Sequence, residues 1–463
     1  MNWRFLAHLV TVPSRPYIVC PSTDLYPWIE AIAVPVLFSD IFGLPTWVSA
    51  VVWALLSAFF LLGFVLASAI FFVWLERKVS GRIQDRLGPT RVGGKFGWLQ
   101  TVADGVKLLC KEDSIPGAAD RFLFRLAPYL ALCGSFVAFV ALPFGNGVVA
   151  RDMGIAVFFM LAVLSSEVFG VIMAGYGSGS KWSLFGGIRE AAQVVSYEVP
   201  RTICVLIPVI VAGTLSLTEI VNQQKGFFWN WYIFHDPFTF IAFWVFFICG
   251  TSSCKRAPFD LAEAESELVA GFHTEYSGFR WLLFFMAEYG SMAAVCGIAV
   301  SLFLGGWHTG LLPFDPADKL YELMGNVGWV IGNVINVTVF IVKGWGGIFV
   351  MMWVRWTLPR LRIDQVMMVC LKYLLPISCF LLVMISLWQL VVTRLEWSMF
   401  SVPGIWKYGS AAVTVVLTVI WLVAVWRKPS LSPPGVTGWA TRPPAMPGES
   451  AGTGKSLTTK VGA

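Results

Sequence analysis

Residues 256–276 read RAPFDLAEAESELVAGFHTEY and lie between two apolar segments, 232–250 and 279–304, each long enough to cross a bilayer. Asp260, Glu263, Glu265, Glu267 and Glu275 fall within sixteen positions of a chain in which only 13% of residues are charged. If Pro258 opens a helix, Asp260, Glu263 and Glu267 share a face at i, i+3 and i+7 spacing, while Glu265 points elsewhere. Acids packed that closely repel one another, which raises some of their pKa values and leaves protons shared among them. Such a cluster can carry protons. A solvated acidic loop at a membrane surface is the plainer reading of the same residues.

The flanking segments set the class. Of 463 residues 57% are hydrophobic, with 37 Phe and 22 Trp, and the mean hydropathy is +0.73. These values predict an all-α polytopic membrane protein rather than a soluble enzyme or a sheet protein. Apolar runs at 48–74, 123–143, 154–174, 199–217, 232–250, 279–304, 328–353, 373–393 and 409–426 predict nine spans. They divide into an eight-helix core within 48–395 and one extra C-terminal transmembrane helix within 396–427. Residues 1–47 read as an interfacial extension without a cleavable signal pattern, and the Pro/Gly-rich segment 428–463 as a disordered tail.

Lys and Arg concentrate in the loops after spans one, three, five and seven, nine of them in 75–122 alone. The positive-inside rule then places the N-terminus outside, and these loops and the tail in the cytoplasm. The formal charge of +6 sits in short loops and not in a stripe, which speaks against a nucleic-acid partner. Nine cysteines form no C-x-x-C pair and four histidines are scattered, so no metal, cluster or haem site is indicated. Any redox centre belongs to a partner protein or is a diffusible molecule.

Within the 75–122 loop, Gly88-Pro89 and Gly93-Gly94 mark turns. The stretch from Trp98 to Leu109 reads as an amphipathic helix with Leu99, Val102, Val106 and Leu109 on one side. Gly93-Gly94 is no phosphate loop, because no strand precedes it. Between spans three and four, Arg189 and Glu190 open an amphipathic helix that enters the membrane at Tyr197-Glu198. Glu198, Glu167 and Lys343 are ionisable residues inside predicted spans, and such residues mark either a proton path or a paired structural site. Three spans carrying them beside a cytoplasmic acidic cluster favour the path. Arg355, Arg360 and Arg362 can anchor lipid head groups, and a stop-transfer flank is the plainer reading that explains them on its own.

Taken together these loops resemble a known family. Glu76-Arg77-Lys78, Gly81-Arg82, Gln84-Asp85-Arg86, Gly88-Pro89, Gly97-Trp98-Leu99-Gln100 and Ala103-Asp104 are similar to the first cytoplasmic loop of one membrane component of respiratory complex I. That component is the quinone-chamber membrane subunit, the H subunit, of bacterial proton-pumping NADH:quinone oxidoreductase. Lys181, Gly187, Arg189, Ala191-Ala192-Gln193 and Ser196-Tyr197-Glu198-Val199 resemble its second loop. Arg256, Pro258-Phe259-Asp260, Glu263-Ala264-Glu265, Glu267-Leu268, Gly271, Glu275-Tyr276-Ser277 and Glu288-Tyr289 resemble its third, and Pro359-Arg360, Arg362 and Asp364-Gln365 its last turn. The likeness covers roughly residues 48–395.

The resemblance implies an eight-helix core that forms most of a narrow quinone chamber beneath a peripheral redox arm. Quinone is then the substrate, and FMN and iron–sulfur clusters are expected in partner subunits, with none bound by this chain. It implies that Arg82, Arg86, Asp104, Arg256, Asp260, Glu263, Glu265, Glu267 and Glu275 line the chamber or meet the arm. Glu198, Glu288 and the Glu263–Glu267 cluster start a charged route into antiporter-like membrane subunits, with Glu167 and Lys343 as further members of the proton path. The implied location is a bacterial cell inner membrane. Many family members place a glutamate just before the arginine that follows span five, where this chain reads Gly250-Thr251-Ser252-Ser253-Cys254-Lys255, and Glu167 is the candidate to replace it. Two other readings stay open: the related membrane subunit of a proton-pumping nickel–iron hydrogenase, and a stand-alone cation/proton antiporter. The absence of internal repeats weighs against the second.

Overall fold

A computed structural model describes residues 46–261 and 269–395, together with Gly409, Ala412, Val416 and Ile420. Most of the described residues are helical, with isolated bridges but no strand among them. Seven helices or helix pairs among them are long and apolar enough to cross a membrane. In chain order, α1 is Thr46–Ile83, α2 Gln100–Cys110 and α3 Arg121–Val137, which tightens into a 3₁₀ turn at Ala138–Ala141. Then come α4 Ala156–Ser165, α5 Glu167–Gly177, α6 Lys181–Ala212, α7 Leu217–Gln223, α8 Tyr232–His235 and α9 Pro237–Ser253. The series ends with α10 Gly278–Phe303, α11 Pro316–Met324, α12 Asn326–Thr357, α13 Ile363–Met368 and α14 Leu375–Leu395, the last two joined by a π-helical turn.

Eight of the nine expected spans have their helix. The ninth, 409–426, lies outside the described residues except for the four helical positions just named. Span three is two helices, α4 and α5, which meet at Ser166. Span five is the 17-residue α9, preceded by the short α8. At 1.5 Å per residue α9 is about 25 Å long, shorter than a typical hydrocarbon core.

Two expectations are corrected. The amphipathic helix expected to open at Arg189 and lead into span four at Val199 begins eight residues earlier, because α6 runs unbroken from Lys181 to Ala212. Its polar residues meet partners inside the bundle: Gln193 Nε2 donates to the carbonyls of Ser252 (2.8 Å) and Phe259 (2.7 Å). Nor does Pro258 open a helix over the described residues. The chain turns after Ser253 with Lys255 at φ 56°, and Arg256 N–H donates back to the Thr251 carbonyl (3.3 Å), so residues 257–261 are turn and extended chain.

The bundle packs through small residues. A Cβ at Gly170 would stand 2.7 Å from the backbone nitrogen of Ala131, so α3 and α5 touch backbone to backbone. Gly175 faces Gly187 across α5 and α6 in the same way, with a Cβ-to-Cα approach of 3.2 Å. Apolar side chains such as Phe59, Phe60, Phe169 and Val334 remain exposed on the helix flanks, as lipid-facing residues do. The ends of α1, α5, α9 and α12 and the starts of α3, α6 and α10 share one side, here termed the loop-bearing end; Asp120 N–H donates to the Gly177 carbonyl there at 2.9 Å. The amphipathic α2 lies at this end as expected, with Leu99, Val102, Val106 and Leu109 exposed.

Candidate functional site

The turn that follows α9 places two cations side by side and sends them in different directions. Arg256 is 2% exposed and lies against Glu76 of α1, with Nη1 at 3.0 and 3.1 Å from the two carboxylate oxygens. Its Nε forms an ion pair with Glu288 of α10 (2.6 Å), and its guanidinium stacks 4.5 Å from the Tyr289 ring. Glu76 is also held by Arg355 of α12 and by the Tyr289 hydroxyl, each at 2.6 Å. Burial alone favours the neutral guanidine, but Glu288, Tyr289 and Glu76 outweigh it and hold Arg256 well above its usual range.

Lys255 points the other way. Its Nζ bridges Glu167 of α5 (2.9 Å) and Glu190 of α6, and lies 5.5 Å from the Phe272 ring. Ser291 of α10 donates to the second Glu167 oxygen (2.8 Å). Burial pushes the ammonium toward neutrality, and the two carboxylates reverse this and raise it above the usual lysine range. Cys254, beside it, is driven up to about 12 by burial and stays a thiol. Below this set Glu198 pairs with Arg201 on the next turn of α6 (3.2 Å) and accepts a bond from Ser165 Oγ at the α4–α5 junction.

A cavity of about 20 Å³ joins the Lys255 and Arg201 groups, lined by Glu167, Glu190, Arg201, Ser253, Lys255 and Ser291 among others. That is room for one water molecule. Arg201 Nε and Ser253 Oγ, both on its lining, are buried without a hydrogen-bond partner among the described residues. The arrangement therefore suits proton exchange between acids that different helices hold close together.

Of the residues singled out in sequence, the structure brings together Arg256, Glu288, Glu167 and Glu198. Asp260 is 7% exposed and pairs with Arg360 (3.3 Å) at the edge of the same end. Asp104 pairs with Arg77 on α1. Arg82 and Arg86 are exposed, Glu275 is half-buried, and none of the three makes an ion pair among the described residues. Glu263, Glu265 and Glu267 lie outside the described residues. Lys343 stands apart from the network and touches the turn after α10. Sequence reasoning misses Glu76, Glu190, Lys255, Tyr289, Ser291, Arg201 and Arg355 as site residues. The signal for Glu190 is the stripe Gly186, Glu190, Gln193, Tyr197 at helical spacing, all four buried on one face of α6.

The fold and this site define a polytopic helical membrane protein with a buried network of ion pairs at one end and no cluster of metal-ligating side chains among the described residues. The family model described as NADH dehydrogenase matches residues 56–386. The chain belongs to that family. It is 46% identical over 325 residues to the H subunit of the NADH-quinone oxidoreductase of Anaeromyxobacter dehalogenans, a match covering 70% of this chain and 78% of the relative. The corresponding H subunits of Chlorobaculum tepidum and Geobacillus kaustophilus are each 44% identical, over 71% and 70% of this chain and 93% and 92% of theirs.

Proposed function

We propose that this chain is the H subunit of a proton-translocating NADH:quinone oxidoreductase, a component of an oxidoreductase without a redox centre of its own. On this reading it forms much of the quinone-binding chamber and couples quinone reduction to proton movement. The family membership and the H-subunit relatives support the assignment over a hydrogenase component or a stand-alone antiporter. Its partners are the peripheral-arm subunits, which carry FMN and iron–sulfur clusters, and antiporter-like membrane subunits. It sits in a bacterial inner membrane with the loop-bearing end in the cytoplasm.

The observation that carries the mechanism is the adjacent pair Lys255–Arg256, which gathers Glu167, Glu190, Glu76 and Glu288 from four helices at the point where the acid-rich stretch 262–268 joins. Arg355 adds a third cation, and the Glu198–Arg201 pair is balanced. Buried carboxylates and cations held this closely are coupled, so a change of charge at one member is felt by the others. Reducing a quinone to quinol consumes two electrons and two protons and passes through anionic head-group states. Arg82, Arg86, Asp104, Asp260, Glu263, Glu265, Glu267 and Glu275 face that chemistry in this proposal, and Glu288, Glu167 and Glu198 carry the response inward.

The test is Glu198→Gln in the assembled complex. NADH:quinone turnover falls while NADH:ferricyanide activity, which bypasses the chamber, is retained. Normal quinone turnover with normal pumping would remove Glu198 from the route. A purified complex with no NADH oxidation at all, or with hydrogenase activity, would overturn the assignment itself.

A further inference from the structure

At the end of the bundle opposite the ion-pair network, the chain leaving α10 makes a tight turn through Gly305 (φ 72°) and Gly306 (φ 52°). Glycine is required at both. A Cβ on Gly305 would stand 2.3 Å from Trp231 Nε1, and one on Gly306 would stand 2.4 Å from Val221. The turn aims three carbonyls at one point. Lys343 Nζ, reaching across from α12, donates to the carbonyls of Leu304 (2.7 Å), Gly306 (3.0 Å) and His308 (2.6 Å). Its fourth side is closed by the Trp231 ring, 4.1 Å from the ring centre.

An ammonium is satisfied in full by this geometry. An ammonium offers three N–H groups, one to each carbonyl, whereas a neutral amine offers two and turns a lone pair toward the third. The α10 C-terminus adds the negative end of its dipole, and the indole face adds cation–π attraction. The titratable side chains nearest the turn are His308 and Asp315. His308, whose Nδ1 is 3.8 Å from Asp315 Oδ2, is pushed down to about 4, by burial first and then by the charges of Lys343 and Lys225, with Asp315 opposing. Asp315 is already held by Trp307 Nε1 (3.1 Å), Asn336 Nδ2 (2.7 Å) and Ala317 N–H (2.9 Å). It is not a free acceptor for a lysine proton.

We propose that Lys343 is a permanent cation: a positioning residue that pins the turn at 304–308 to α12 and exchanges no proton during turnover. Gln224 straps the same turn from the end of α7, accepting from Gly305 N–H (3.0 Å) and donating to the Ser301 carbonyl (2.9 Å). What the two straps fix is the seat of α10, the helix that carries Glu288, Tyr289 and Ser291 into the ion-pair network. The inference rests on the proton coupling proposed above, but it does not depend on which carboxylates carry the protons.

Lys343→Arg in the complete complex decides between cation and carrier, because arginine keeps the charge and cannot release a proton. A permanent cation predicts wild-type protons pumped per electron pair in proteoliposomes. A fall in that ratio at retained quinone turnover would overturn the proposal. Lys343→Met reads the pinning itself, and stands in if the arginine variant fails to assemble. Hydrogen exchange at Gly306 N–H and His308 N–H, bonded to Val300 and Gly305, then quickens about tenfold or more. The residual turnover keeps its proton ratio. Unchanged exchange, or a lost ratio with the turn still protected, would refute it. Failure of Glu198→Gln to alter turnover would leave these outcomes untouched.

Discussion

Removing Lys255 leaves Glu167 and Glu190, whose side chains are 9% and 2% exposed, facing each other across a space an ammonium had filled. Lys255→Met preserves the length of the side chain and deletes only the charge. Breaking a buried ion pair from one side costs about 3–5 kcal/mol. The alternative is for one acid to take up a proton, which at neutral pH costs an ordinary carboxyl about 4 kcal/mol. Neither escape is cheap, so the variant loses roughly 3–4 kcal/mol. Glu190→Gln in the same chain removes one of the two acids and returns a large part of that loss, so the two substitutions are coupled by more than about 1 kcal/mol. The assay is thermal unfolding of the assembled complex, with NADH:quinone and NADH:ferricyanide rates measured in the same preparations. Quinone turnover falls and the ferricyanide rate holds. Wild-type melting of Lys255→Met, or strictly additive effects in the double variant, would show that Lys255 does not bridge the two acids.

Among the described residues, Glu76→Gln leaves Arg256 buried with Glu288 as its remaining carboxylate and takes the carboxylate from Arg355, at about 3–5 kcal/mol; differential scanning calorimetry of the complex reads the loss. His308 has a folded-state pKa depressed from its usual 6.5 to about 4, so its contribution is present above pH 6.5 and is lost as pH falls toward 4. That loss amounts to about 3 kcal/mol, and in His308→Asn the part of acid destabilisation between those pH values disappears, as hydrogen exchange at pH 7 and pH 5 will register. Gly170→Val forces α3 and α5 apart at a contact made of backbone atoms, costing about 1–3 kcal/mol or more and lowering the yield of assembled complex.

The spans were legible because hydropathy is a property of each segment alone: α10 and α12 match their apolar runs to within a few residues. The start of α6 was legible only in part: the helix was expected from Arg189, whereas it begins at Lys181, and the partners that bury Gln193 come from 59 to 66 positions away in sequence. The same limit applies to the site. Glu167 and Glu198 stand out as charges inside apolar runs, whereas Lys255 and Glu76 lie among other charged or polar residues and gain meaning from what the fold places opposite them. Lys343 shows both sides of this: its charge is visible, but the three carbonyls that hold it are backbone atoms, which no side-chain pattern announces.

Because Lys255 and Arg256 are consecutive, the turn after α9 works as a yoke. One short piece of backbone grips α5 and α6 with one hand and α1 and α10 with the other. Any displacement of that piece bears on both carboxylate pairs at once, because the two cations share one short stretch of backbone. The acid-rich stretch 262–268 is joined to the yoke through only five residues.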